Sequence, residues 1–239
     1  MISSPDDLAL PQGLIPLVAL APGAVPSMLS PADLSQALAE VVVAPSRKRP
    51  KPGQRREQIL QTLASMLEQP GAERVTTAAL AARLEVSEAA LYRHFASKAQ
   101  MFEALIDFIE STVFTLANQI SEHEQSGAVQ AQRIVTVLLQ FGERNPGMTR
   151  VMVGDALVFE NERLVARMNQ FFDRLESQLR QGLRLAAEGA GSPTPTVDAQ
   201  ARASVLTAFA VGRLQRYARS GFKRSPTEHL DTALHLLTA

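Results

Sequence analysis

The sequence predicts an all-α protein, with a small N-terminal helix-turn-helix domain followed by a larger helical domain. Three observations carry this. From Gln54 almost to the end, apolar residues recur at spacings of three and four, the period of an amphipathic helix. Proline and glycine punctuate that pattern at intervals suited to helix ends. No stretch alternates apolar and polar residues in the manner of a strand, and no internal repeat is evident.

Taken in order, residues 1–45 hold seven of the fourteen prolines and read as a disordered extension. Ser30–Val43 can form one short helix there, with Ser30 as cap and Pro31 in its first turn. Met28 is a second possible start, so the extension is either dispensable or an artefact of the assigned start. Residues 46–53 are a basic arm that prolines keep extended. Arg47 and Lys48 on it, with Arg55 just beyond, are candidates for phosphate contact.

Residues 54–98 form the expected DNA-binding domain. Its first helix carries Ile59, Leu63, Met66 and Leu67 on one face and closes at Pro70-Gly71. Thr76 can cap a short helix with Leu80, Ala81 and Leu84 facing inward. Glu85-Val86 makes a turn. Ser87 can cap a second short helix that buries Ala90, Leu91 and Phe95. Two short helices joined by a tight turn are the arrangement that offers its second helix to a DNA major groove. Ser97 and Gln100 can then form a capping box for a long helix.

Residues 99–239 form the expected dimerisation and partner-binding domain. Helices are predicted at about 98–124, 128–144, 149–159, 162–187, 197–220 and 227–238, the last opened by Ser225, Pro226 and Glu228 as a capping box. The last two carry Val205, Leu206, Phe209 and Leu214, and Leu230, Leu234, Leu236 and Leu237. That exceeds what one small core needs and predicts a homodimer interface.

Charge is unevenly placed in a chain of zero formal net charge. Residues 1–45 carry −4, residues 46–101 carry +5, and the remainder −1. A basic segment that coincides with the helix-turn-helix is the electrostatic footprint of a nucleic-acid module, here for double-stranded DNA. Other classes find no support. There is no cysteine, and the four histidines lack metal-ligand spacing, so neither a metal nor another cofactor is expected. Asp173 and Glu176 lie three apart on a helix, a spacing common on solvated faces, and no nucleophile–base pairing stands out, so the chain does not read as an enzyme. No run of about eighteen apolar residues exists to span a membrane. The apolar stretch Leu8–Leu20 is broken by prolines and preceded by acids, unlike a secretory signal, so a cytoplasmic protein is expected.

The run Leu91-Tyr92-Arg93-His94-Phe95, followed by Ser97-Lys98, resembles the signature of the TetR family. That resemblance implies phosphate contacts from Tyr92, His94 and Lys98. It places Thr76, Thr77, Ser87, Glu88 and Ala89 near the bases. Ala96 stands where the family usually has proline. Glu88 is unusual beside phosphate; it either accepts from a cytosine N4 amino group or favours the positive end of its helix.

A likeness to one branch of the family, which restrains cell division over the nucleoid, extends over residues 53–238. It rests on Val86–Tyr92, the run from Phe141 to Gly147, Arg167–Gln170, Gln178–Gln181, and Phe222-Lys223 with Pro226-Thr227. It implies that dimers bound to the nucleoid antagonise polymerisation of the tubulin-like division protein (FtsZ). The competing expectation is a ligand-responsive repressor, although two tyrosines and no tryptophan disfavour an aromatic-lined ligand pocket.

For the partner, the groove between the helices at 98–124 and 128–144 has Phe108 and Val137 as candidate floor and Arg144 and Asn145 as candidate rim. It suits an extended tail with apolar and acidic residues, and the resemblance makes that the division protein's C-terminal tail. The competing reading is that Phe108 and Val137 complete the core while Arg144 and Asn145 cap a helix.

Overall fold

In the computed structural model, which describes residues 54–69 and 74–238, the helices follow from local capping chemistry and from apolar spacing. They are α1 (Gln54–Glu68), α2 (Thr77–Arg83), α3 (Glu88–Tyr92), α4 (Lys98–His123), α5 (Gly127–Arg144), α6 (Pro146–Met152), α7 (Glu162–Gly189), α8 (Pro195–Arg219) and α9 (Leu230–Thr238). A short 3-10 turn, Asp155–Leu157, joins α6 to α7. The described residues contain no strand. The expected disordered extension and basic arm, including Arg47 and Lys48, lie outside the described residues.

Helices α1 to α3 and the start of α4 form the small N-terminal unit, whose core is Ile59, Leu60, Leu63, Leu67, Leu80, Leu91 and Phe95. The larger domain is built on the antiparallel pair α7 and α8, which make the most extensive helix contact in the molecule. Along α7, Leu164, Met168, Phe171, Leu175, Leu179 and Leu183 recur at three- and four-residue steps and are all buried. Helix α5 packs across α7, where a side chain on Gly127 would collide with the Gly182 carbonyl. Glycine there lets the two backbones touch. The expected core stripe of α4 (Phe102, Leu105, Ile109, Val113, Leu116 and Ile120) is buried throughout.

Two junctions tie the small unit to the large one. Helix α1 crosses α6 so closely that a side chain on Gly147 would collide with the carbonyl of Ala64. At the same crossing the Gly147 backbone N–H donates to the Glu68 carboxylate. The second junction is an ion pair between Lys98, at the start of α4, and Glu160, just before α7.

Three expectations need correction. The helix expected at 149–159 instead spans Pro146–Met152, because Pro146 supplies the first helical residue and Gly154, in the left-handed region at φ 86°, ends the stretch. The capping box at Ser225–Glu228 does not form. His229 takes φ 51°, which breaks the helix before Leu230. The Ser225 hydroxyl accepts from the Thr227 N–H at 3.1 Å and donates to the Glu143 carboxylate, which also accepts from the Thr227 hydroxyl at 2.7 Å. Finally, Leu206, Leu214, Leu230 and Leu234 are buried within the single chain and are not surplus for an interface. The surplus is the stripe of Val197, Ala201, Val205, Ala208 and Gly212 on α8 and Leu236 on α9, all exposed.

Burial pushes the half-buried Glu68 carboxyl above its ordinary value, partly offset by the Gly147 N–H. A raised pKa means the folded chain holds its proton more tightly than the unfolded one. The fold is therefore free of the penalty below the usual carboxylate range and loses stability as pH rises through the folded value. Glu68→Gln keeps an acceptor for Gly147 and removes the buried charge. Thermal melts are expected to show it more stable than wild type at pH 7, with the difference vanishing near pH 4. An equal shift at both pH values would contradict this.

Candidate nucleic-acid interface

Three side-chain caps start the two short helices of the N-terminal unit and the long α4 that follows them. Thr76 accepts from Ala79 N at 3.1 Å, Ser87 from Ala90 N at 3.3 Å, and Ser97 from Gln100 N at 3.2 Å. Each fixes where a helix starts and satisfies a donor that would otherwise face solvent unpaired. Between α2 and α3 the chain reverses at Glu85, which takes the left-handed φ of 55°. The Val86 N–H returns to the Ala81 carbonyl at 3.0 Å, closing α2 with the chain reversal usual at helix C-termini. Val86 packs its half-buried side chain onto the core, as the sequence suggests.

These constraints leave one face of α3 open. Leu91 is buried and Ala90 half-buried, while Glu88, Ala89, Tyr92 and Arg93 are exposed, Tyr92 by 46%. Thr76 at the start of α2 is exposed too, and Thr77, half-buried, donates its hydroxyl to Glu88 Oε2 at 2.6 Å. Ser87 is exposed and does double duty as cap and candidate contact. The structure therefore brings Thr77, Glu88, Ala89 and Tyr92 to the open side of the recognition helix and its neighbour, with Thr76 and Ser87 at the two helix starts. The His94 ring is exposed at the end of that helix.

Two arginines stand out. Arg56 lies over the Phe95 ring at 4.0 Å and donates to the His94 carbonyl at 2.9 Å, locking α1 onto the end of α3. No local pattern in the sequence marks this clamp, since Phe95 and His94 lie almost forty residues from Arg56. Arg93 is exposed beside Tyr92 and was passed over, although its place within the Tyr-Arg-His run was the available signal. Arg55 is half-buried and donates to Gln58 at 2.7 Å, one helical turn along its own helix. Ala96, in place of proline, has an N–H that donates to Gln100 Oε1 at 2.8 Å and completes a reciprocal cap.

Lys98 departs from the expected phosphate grip. Its ammonium pairs with Glu160 and lies 5.6 Å from the Phe102 ring centroid. To reach a phosphate it must leave that carboxylate. The groove expected between α4 and α5 is also altered. Val137 is fully buried, because its face of α5 is committed to the core, so it lines no open floor. Asn145 is 5% exposed and donates to the Phe141 carbonyl at 2.8 Å; it closes the end of α5 and forms no rim. Phe108 remains half-buried, 6.2 Å from the buried Phe141 ring, and Arg144 is half-buried at the helix end.

Among the described residues no cluster of three acidic, histidine or cysteine side chains could hold a metal ion, and no helix is long and apolar enough to cross a membrane.

Comparison with known proteins agrees with this geometry. Residues 59–105 match the model of bacterial regulatory proteins of the tetR family, and residues 125–239 match the tetracyclin repressor-like C-terminal domain. The chain is 51% identical over 188 residues to the nucleoid occlusion factor SlmA of Photobacterium profundum, covering 77% of this chain and 94% of that protein. It is 50% identical to that of Salmonella paratyphi B, covering 77% and 93%. Among solved structures, a putative TetR-family transcriptional regulator from Rhodococcus sp. superposes with a TM-score of 0.62 at 19% identity, covering 78% of this chain and all of that one. The regulator FadR of Bacillus subtilis, solved with stearoyl-CoA, gives 0.61 at 12% identity, covering 76% and 97%. At such identities these two speak to the fold alone.

If Lys98 exchanges Glu160 for a phosphate, Glu160→Gln is expected to strengthen binding to any duplex. It should also steepen the dependence of log affinity on log salt by up to about one. Anisotropy titrations across a salt series measure this, and an unchanged slope would mean that Lys98 stays out of DNA contact.

Proposed function

This chain belongs to the TetR family, in the branch of the nucleoid occlusion factor SlmA, and from that premise we propose that it occupies chromosomal DNA as a homodimer and there antagonises the tubulin-like division protein. It is a DNA-binding regulator and not an enzyme. The observation that carries the reading is the open face of α3, capped, held by the buried Leu91 and Phe95, and bearing Glu88, Ala89, Tyr92 and Arg93.

The chemistry divides by residue. Tyr92, His94 and, once released from Glu160, Lys98 take phosphates in this reading, contacts that position the protein but carry no sequence information. Thr76, Thr77, Ser87, Glu88 and Ala89 lie where base edges would come. A single recognition helix reads only a few base pairs, so a two-fold pair is needed to read two half-sites about one helical turn apart. The exposed stripe on α8 with Leu236 of α9 supports that pairing, since small side chains let two helices approach closely. The action is in the cytoplasm, at the nucleoid.

For the partner, Phe108 and Arg144 are the residues of the expected groove that keep accessible surface. An extended tail would bury an apolar side chain against Phe108 and give Arg144 a carboxylate, a charge-assisted bond. Val137 and Asn145 act behind them, as packing and as the closure of α5. The packed interior of the large domain favours this reading over a ligand sensor, because Phe171, Leu175, Leu206 and Leu214 are fully buried in one continuous apolar core.

The test has two readouts. Mapping bound chromosomal sites should give many scattered sites that thin out near the replication terminus; a single promoter would instead indicate a repressor. The division protein's C-terminal peptide, titrated against wild type, Phe108→Ala and Arg144→Ala, should bind both variants at least about tenfold more weakly while duplex binding is unchanged. Undiminished peptide affinity in both would remove the partner assignment.

A further inference from the structure

The carboxylate of Glu88 poses a problem that the proposed DNA reading does not solve. It is exposed on the open face of α3, beside Ala89 and one helical turn from Tyr92. No cation pairs with it among the described residues. A surface shaped only for phosphate would not carry it, since it weakens attraction to every duplex alike. Its orientation is nevertheless fixed. The Thr77 hydroxyl, on the other helix of the motif, donates to Oε2 at 2.6 Å, and among the described residues Oε1 accepts nothing.

We propose that Glu88 is a specificity-determining residue that selects a cytosine in each half-site through Oε1, and that Thr77 is the positioning residue that aims it. The inference rests on the reading of α2 and α3 as the DNA-reading pair. A carboxylate is an acceptor only, so the base edge opposite must offer a donor. In the major groove the donors are the amino groups of cytosine and adenine. Adenine sets its N7 acceptor beside its amino group, which repels a carboxylate. Guanine and thymine present acceptors at the same place. Cytosine is the base that satisfies Oε1 without an opposing lone pair. The same charge that weakens general binding therefore discriminates by repelling the other three bases. The Thr77 hydroxyl occupies Oε2, so one oxygen alone is offered.

The test uses the full-length protein and a randomised duplex pool. Anisotropy on the selected site and its single-base-pair variants follows, at one fixed salt concentration. Wild type is expected to select cytosine at one symmetric position per half-site, by about tenfold or more over other bases. Glu88→Gln should move that preference to adenine, whose amino group and N7 a glutamine amide matches. Thr77→Val should lower the cytosine preference about threefold at that position alone, and Thr77→Ser should restore it. Helical content measured in parallel confirms that the variants fold. If Glu88→Gln strengthens binding to all duplexes equally and leaves every base preference in place, the inference is overturned and the Thr77–Glu88 bond is only a strut. If wild type selects no sequence from the pool, the DNA reading itself falls with it.

Discussion

The approach of α1 to α6 is the constraint on which the rest of the architecture depends. At Gly147 the backbone of α6 lies against the Ala64 carbonyl with no room for a side chain, and the Gly147 N–H is held by Glu68. Helix α1 is in turn bound to the end of the recognition helix by Arg56, through the Phe95 ring and the His94 carbonyl. The position of α3 relative to α7 and α8 is therefore set through a short chain of contacts. In a symmetric pair of such chains, the same contacts would set the separation of two recognition helices, which must match the helical repeat of DNA.

The recognition helix needs this support because it is too short to be stable alone. Five residues make little more than one turn, and an isolated helix of that length does not persist in water. It is held by Leu91 and Phe95 in the core, by the Ser87 cap and by the Thr77–Glu88 bond. The far side of α6 answers to the large domain. Tyr217 donates to the Glu143 carbonyl, and burial with the nearby Glu143 and Glu68 charges pushes its phenol up to about 12, so it remains a donor at any physiological pH. Glu143 also accepts from Ser225 and Thr227. The end of α5, where Arg144 sits, is thus pinned by three polar side chains, one from α8 and two from the connection that follows it.

What the sequence disclosed and what it hid divide along physical lines. Local chemistry was legible. The caps at Thr76, Ser87 and Ser97 formed as read, because a hydroxyl before a helix has few other uses. The apolar periods of α1, α4 and α7 were legible for the same reason: the period is a property of the chain alone. Contacts distant in sequence were not. Neither the bond of Ser225 to Glu143, eighty-two residues away, nor the pair of Lys98 with Glu160, sixty-two away, could be read from the local pattern. Periodicity does not say how much of an apolar face lies inside one chain, so Leu206 and Leu214, expected at an interface, are core, and of the two readings of Val137 the core one holds. Thr77–Glu88 spans only eleven residues, but it depends on the turn at Glu85, whose φ of 55° no residue type there announces.

The central claim is that a rigid α1–α6 crossing sets where the recognition helix stands. Gly147→Ala tests it most directly, through the ratio of affinities for the protein's selected site and for an unrelated duplex, measured at one salt concentration. The added methyl must push α1 away from α6, so the account predicts a drop in that ratio of about tenfold or more. Helical content and dimerisation should persist, and binding to the unrelated duplex should change little. A variant that keeps the wild-type ratio would show that the crossing does not govern how the helix meets DNA, and the account would fail at its base.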